Sequence, residues 1–363
     1  MKTALKWVKL IFLILLPLIC VILINLIGDS ANFFHLDISE KVAESILEGK
    51  PTYILGAPNG RLIKKALIEK MPDEVDTIVI GPSISMCINK EVAGTDSFYN
   101  LSVELGNYYD IFAFLGLLEL NNKKYNRVIL CTDFDFFNKG KAPPSITGIF
   151  EPYYDYMFSK IHNKTAIFVE GDFEKRLSNY AKESLIQLIS IQYFQPSFKL
   201  LLKLLQDKGN RTGTVNEKNA FNHFYYMSDA SWVYEGSYIA RTEEFVKNDC
   251  HTYIWDPLCA PDEHLSEEVK QNFDLLMEYL IQKNVKVDIF ISPLAPTLYD
   301  LFDFNIRPLL SEGENFVNSY AQEHNIRVIG SYSPYKYGLK DADFYDSRHL
   351  RREKFNVFNF SEE

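Results

Sequence analysis

The stretch "DTIVIGPSISM", Asp76 to Met86, decides how this chain is read. Its apolar run Ile78-Val79-Ile80 stops at Gly81, and Pro82 and Ser83 follow. A short apolar run halted by Gly and Pro reads as a buried strand ending in a tight turn. In open parallel sheets, ligands bind beyond the carboxyl ends of the strands. Ser83 therefore stands where a base can reach its hydroxyl. The plain alternative is a strand-to-helix turn in which Ser83 or Ser85 caps the next helix.

The same rhythm extends in both directions. Phe98 to Leu101 is short and apolar, Asn107 to Leu120 reads as a helix, and Arg127 to Thr132 ("RVILCT") as a buried strand. Later, Ser266 to Lys283 repeats Leu275, Leu276, Tyr279 and Leu280 at helical spacing. Val285 to Ile291 is a strand candidate, Asn305 to His324 is mainly helical, and Ile326 to Ile329 is a further strand. Strands alternating with helices imply βαβ units and an α/β fold with a mostly parallel sheet. Between about 139 and 255 the rhythm breaks, with helical runs such as Ser184 to Leu205 and the aromatic stretch "FNHFYYMSDASWVYEGSY". That segment reads as a mainly helical insertion.

The beginning of the chain differs from the rest. Leu10 to Ile27 ("LIFLILLPLICVILINLI") is eighteen residues without a charge, close to the ~20 that cross a bilayer as a helix. Lys2, Lys6 and Lys9 precede it, while Asp29, Asp37 and Glu40 follow. That asymmetry predicts a cytoplasmic N-terminus and an extracytoplasmic body. No small-x-small cleavage site is present, so an uncleaved anchor is expected rather than a signal peptide. Three parts follow: 1–28 as cytoplasmic tip and anchor, 29–75 as stalk and packing region, and 76–363 as the α/β domain with its insertion. Asp37 to Lys50 carries helical periodicity within the second part.

Bulk properties remove some function classes. Over 363 residues the formal net charge is -10, so no basic surplus exists to neutralise nucleic-acid phosphates. The five cysteines form no CxxC or Cys/His spacing, which gives no support for a metal site, and only Cys250 and Cys259 are candidates to pair.

The remaining chemistry lies in "DFYDSRHLRREKF". Asp346 precedes His349 by three positions, a spacing at which a carboxylate can hold Nδ1–H and leave Nε2 free to take a proton. The other six histidines lack a comparable partner; His264, after Asp262-Glu263, reads as a solvated helix start.

Together these segments resemble the SGNH (GDSL-like) hydrolase superfamily, in particular its membrane-anchored members linked to cell-surface polysaccharide acylation. The resemblance covers roughly 76–138 and 285–355. It implies a flavodoxin-like parallel sheet flanked by helices, with Ser83 as nucleophile, His349 as base and Asp346 as its orienter. "FYNLSVELGNYYD" is similar to the family's second block, with Gly106 as the oxyanion glycine, or Leu105 in another register. The third block departs: where the family carries GxND, this chain reads "LCTDFDFFN". An ionised Asp133 repels a developing oxyanion. Backbone N–H groups of Ser83 and Gly106, or Asn138 or an insertion residue, are left as donors. Gly28-Asp29-Ser30 spells the family's GDS signature but follows the apolar segment rather than a strand, so it reads as the polar exit of the anchor. The resemblance implies acyl transfer or ester hydrolysis on an extracytoplasmic glycan or glycopolymer, without metal or cofactor. A membrane protein that delivers acyl groups is the expected partner. A catalytically silent binding module of a polysaccharide export or modification complex is the other reading.

Overall fold

The computed structural model describes residues 2–57, 59–133, 136–137, 148–253, 265–302 and 306–361; for 2–12, 14, 170 and 306–308 only the backbone is described. Helices of eight or more residues are α1 (Lys2–Gly28), α2 (Asp37–Leu47), α3 (Gly60–Lys70), α4 (Tyr108–Leu120), α5 (Glu151–Ile161), α6 (Glu170–Glu183), α7 (Ile191–Gln206), α8 (Glu243–Tyr253), α9 (Glu267–Gln282) and α10 (Ile306–His324). Strands are β1 (Thr52–Ile54), β2 (Glu74–Ile80), β3 (Phe98–Asn100), β4 (Lys124–Thr132), β5 (Thr212–Thr214), β6 (Tyr225–Tyr226), β7 (Trp232–Val233), β8 (Lys286–Ile291) and β9 (Arg327–Gly330).

Five of these strands form one parallel sheet in the order β3-β2-β4-β8-β9. Counted along the chain, that is the 2-1-3-4-5 order of doubly wound sheets, whose ligands bind where the order reverses. The reversal falls between β2 and β4, the two strands that end at Gly81 and Asp133. Residues 128–132 of β4 are buried without a break, as expected for a strand covered on both faces.

Caps fix the helix starts. Ser266 accepts from Val269 N at the head of α9. Asn107 and Asp110 form a reciprocal capping box at the head of α4, which satisfies two otherwise orphaned N–H groups. At the far end of the sheet, buried Asp288 accepts from both Arg127 (2.7 Å) and Arg327 (2.7 Å). Arg127 also donates to the Phe360 carbonyl at 2.6 Å, tying the segment after the 3-10 turn Arg352–Val357 to the sheet.

Three expectations change. Of the stalk and packing region expected over 29–75, the packing is what is seen: Val42, Ile46, Leu62, Ile63 and Leu67 lie in the main core. β1 from this part pairs with β5 and β6 of the insertion, and β6 with β7, making a second, antiparallel sheet. The insertion is thus mainly helical but also carries three strands of two or three residues. The run 184–205 is not one helix but a 3-10 segment, Ser184–Ile189, followed by α7, with extended Ser190 between them. Cys250 is a free thiol, and Cys259 and His264 lie outside the described residues.

α1 covers the expected anchor as a continuous helix. Among the described residues, no helix is long and apolar enough to cross a membrane.

Candidate active site

β2 ends at Gly81 with no room for a side chain: a Cβ there would meet Cys131 Cβ of the neighbouring β4 at 2.5 Å. Close packing of the two strands therefore requires glycine and brings the turn down onto β4. Pro82 is extended, and Ser83–Ser85 form a single 3-10 turn. The two serines separate cleanly. Ser85 is buried, with its hydroxyl donating to the Pro82 carbonyl and hydrogen-bonded to the Ser102 hydroxyl, both at 2.8 Å. Ser83 is half-buried and its Oγ lies 2.8 Å from His349 Nε2.

His349 is held from behind. Its Nδ1 lies 2.8 and 2.9 Å from the two carboxylate oxygens of Asp346. Asp346 Oδ1 also accepts the backbone N–H groups of Arg348 (3.0 Å) and His349 (2.9 Å). Burial by itself would raise this carboxyl. The His349 charge and ring hydrogen bond, with those two amides, outweigh it and hold Asp346 well below the usual carboxylate range. Asp346 is therefore a fixed anion that orients the imidazole and leaves Nε2 facing Ser83. Ser83, His349 and Asp346, chosen from sequence, meet in one hydrogen-bonded line.

The insertion furnishes the walls. Buried Tyr234, just after β7, meets the His349 ring edge-on with centroids 6.1 Å apart. Arg241 stacks on Tyr238 (3.4 Å to the ring centre), and its Nη1 lies 3.7 Å from Asp346 Oδ2. Asp249 of α8 accepts the Ser347 N–H at 2.9 Å, pinning the loop that carries the base.

Gly106 sits against the nucleophile turn. A Cβ there would lie 2.8 Å from the Gly81 carbonyl oxygen and 3.0 Å from Pro82 Cα. Leu105, the alternative register, is the residue in the left-handed region (φ 52°) and is solvent-exposed. The Gly106 N–H donates to the Val103 carbonyl at 3.2 Å, so a reaction that used it would first release that turn bond. The Ser83 N–H opens the 3-10 turn, where no carbonyl of the turn can accept it.

What fixes this second loop was not foreseen. Arg61 of α3, buried, binds both oxygens of Asp110 (2.7 and 2.8 Å) and donates to the Glu104 and Leu105 carbonyls. Asn100 Nδ2 donates to the carbonyls of Ser85 and Ile88, both at 2.8 Å, lacing the nucleophile turn to β3. The signal for Asn100, a polar residue closing an apolar strand, was present in the sequence; the pairing of Arg61 with Asp110 had none.

Asp133 does not face an oxyanion position. Its carboxylate binds the Arg348 guanidinium at 2.5 Å, and Arg348 also donates to Tyr253 Oη at 2.6 Å. Asp135 and the donor candidate Asn138 lie outside the described residues. Burial pushes the thiols of Cys87, Cys131 and Cys250 up to about 12, so none is a thiolate nucleophile near neutral pH. Among the described residues, no group of three His, Cys, Asp or Glu side chains is placed to hold a metal.

Gly28-Asp29-Ser30 is far less open. Asp29 is fully buried and accepts Phe33 N (2.9 Å), Phe34 N (2.9 Å), Tyr193 Oη (2.7 Å) and His35 Nδ1 (2.7 Å). Arg211 caps the end of α1, donating to the Ile27, Gly28 and Asp29 carbonyls. Compared with known protein families and with curated proteins, the chain matches none.

Proposed function

We propose that this chain is an SGNH-type serine acyltransferase or esterase, held at a membrane by α1 and acting on an extracytoplasmic glycan or glycopolymer. The observation that carries the reading is the line Ser83 Oγ–His349 Nε2 (2.8 Å) and His349 Nδ1–Asp346 (2.8 Å) at the reversal point of the sheet. In the proposed cycle, His349 takes the Ser83 proton as Oγ attacks an ester carbonyl. The tetrahedral oxyanion is met by the Ser83 and Gly106 N–H groups, and His349 returns the proton to the leaving alcohol. A sugar hydroxyl, or water, then attacks the acyl-serine with His349 again as base, which regenerates Ser83. Asp346 stabilises the imidazolium in both halves. The anchor reading rests on the uncharged run Leu10 to Ile27 and the lysines before it. It keeps the site near a membrane protein that delivers acyl groups.

The test is covalent. The full chain is treated with a fluorophosphonate, and the adduct is mapped by mass spectrometry. An adduct on Ser83 that disappears in His349→Ala supports the proposal; an unreactive chain with a native fold overturns it. One observation favours a silent binding module instead: just after β4 stands Asp133, paired with Arg348, and among the described residues at that strand end there is no side-chain amide. On that reading Ser83→Ala leaves glycan acylation in cells unchanged.

A further inference from the structure

The insertion carries an apolar surface that the proposed chemistry does not use. Leu185, Ile186 and Ile189 of the 3-10 segment are exposed, as are Ile191, Phe198, Leu202 and Leu205 of α7. Ile191 is 80% exposed and Leu205 71%. α7 has two apolar stripes. Tyr193, Ser197, Leu200 and Leu204 are buried, with Ser197 packed directly on Gly28 at the end of α1. The stripe Ile191, Phe198, Leu202 and Leu205 follows the same helical spacing on an outward face. Contiguous exposed side chains of this size on a folded domain mark an interaction surface.

The position of this surface along α1 identifies what covers it. Asn25 Nδ2 donates to the carbonyls of Gln187 (2.9 Å), Leu188 (3.0 Å) and Ser190 (2.9 Å). Asn25 lies inside the uncharged run that ends at Ile27, only about 4.5 Å short of the helix end at 1.5 Å per residue. The 3-10 segment and the head of α7 are thus fixed at the depth of the last turn of the anchor. Within the same uncharged run, Leu13, Leu15, Leu16, Leu18 and Ile19 of α1 are exposed as well. Charge agrees: in a chain of net -10, α7 carries Lys199 and Lys203 and no acidic residue, and both lysines are exposed beside the stripe. An apolar helix face edged by lysines suits the headgroup and upper acyl region of an anionic bilayer. At the same junction a groove of about 300 Å³ is lined by Ile27, Leu201, Leu204 and Leu205 together with His35, Lys208, Gly209 and the buried Arg211.

We infer that residues 184–206 form a bilayer-embedded belt: the outward face of this segment lies in the membrane interface beside α1 and fixes the orientation of the catalytic body. The inference rests on the anchor reading above, and its test separates the two. The full chain is reconstituted in phosphatidylglycerol–phosphatidylethanolamine vesicles doped with a phospholipid carrying a diazirine near its headgroup. It is then irradiated, and adducts are mapped by mass spectrometry. Adducts on both 13–27 and 185–205 are expected. The triple variant Ile191→Glu, Phe198→Glu, Leu202→Glu changes only exposed side chains outside that groove. It should cut the 185–205 adducts roughly tenfold while leaving those on α1, with circular dichroism reporting that the fold is retained. Adducts on α1 alone overturn the belt and leave the anchor standing. Adducts on neither overturn both. A detergent-solubilised dimer that the triple variant dissolves would assign the face to a second copy and overturn the belt as well.

Discussion

Two glycine-x-serine tripeptides, Gly28-Asp29-Ser30 and Gly81-Pro82-Ser83, sit in one chain with opposite fates. The first has the better spelling and even an Asp–His contact, Asp29 to His35 at 2.7 Å. It closes a helix, however, and its carboxylate is spent on two backbone amides and a tyrosine hydroxyl. Ser30 meets Ser197 and the Tyr193 hydroxyl rather than an imidazole. The second closes a buried strand at the sheet's reversal point, and Ser83 meets an imidazole already oriented by an anion. An Asp–His pair makes a base only where the free ring nitrogen reaches a hydroxyl; where it does not, the same pair is structural. Position in the fold, not the letters, separates them.

The contrast breaks first at the serines. Ser83→Ala should abolish fluorophosphonate labelling and lower acyl transfer by about four orders of magnitude or more, while Ser30→Ala changes neither; the reverse pattern in the labelling assay would exchange the two sites. The aspartates should divide along the same line. Asp346→Asn offers the wrong partner to Nδ1 and should cost about 10⁴ in rate with little loss of fold. Asp29→Ala strands buried donors, and should cost about 2–4 kcal/mol in denaturant unfolding while the folded fraction labels normally. Equal damage to rate and stability from both would erase the distinction. Because the Asp346 carboxyl is held low, its contribution to stability is present above the ordinary carboxylate range near 4 and lost as pH falls through its depressed value.

A smaller effect sharpens how the Ser83 site is supported. Arg61→Met leaves Asp110 buried without its cation and should destabilise the fold by about 3–5 kcal/mol. In the folded fraction it should also lower kcat for transfer more than it raises KM, since the Glu104–Gly106 loop loses two donors. An unchanged kcat would confine Arg61 to a structural role. The least effect is expected at Lys64, fully buried and donating to the Asn100 and Ala230 carbonyls (2.6 and 2.8 Å). Burial pushes its ammonium down to about 7, against the pull of Glu104 and Asp229. The unfolded chain keeps that proton up to its ordinary 10.5. From pH 7 upward, unfolding therefore takes up a proton, and stability rises with pH. Between pH 7 and 9 the rise is up to about 3 kcal/mol and should be missing in Lys64→Met; parallel pH curves for the two proteins would remove Lys64 from this account.

The parallel sheet was legible because its strands are apolar runs bounded by Gly, Asp or Asn. β2, β4, β8 and β9 fall within a few residues of where pattern places them, as do α4, α9 and α10. Ser83, Asp346 and His349 were legible because each follows a strand or a local spacing rule. The antiparallel sheet was not, since strands of two and three residues, paired across more than a hundred positions, leave no periodicity to read. β1 was not legible for the same reason: it is half of a pairing whose partner is remote. Likewise Arg348, written in plain sight between Asp346 and His349, acquires meaning only through Asp133 at the end of another strand.

The nucleophile and its base stand 266 positions apart, and that separation has a consequence for chain order. β2 and its serine turn are made early, and their packing partner β4 follows within sixty residues. Asp346 and His349 come only after β8 and β9 have extended the sheet. On the proposed reading, a chain interrupted between Ser83 and His349 holds a serine with no base, inert toward esters. If Ser83 reacts as proposed, its reactivity arrives in one step when the final strands dock, and labelling of Ser83 during synthesis would time the closing of the fold.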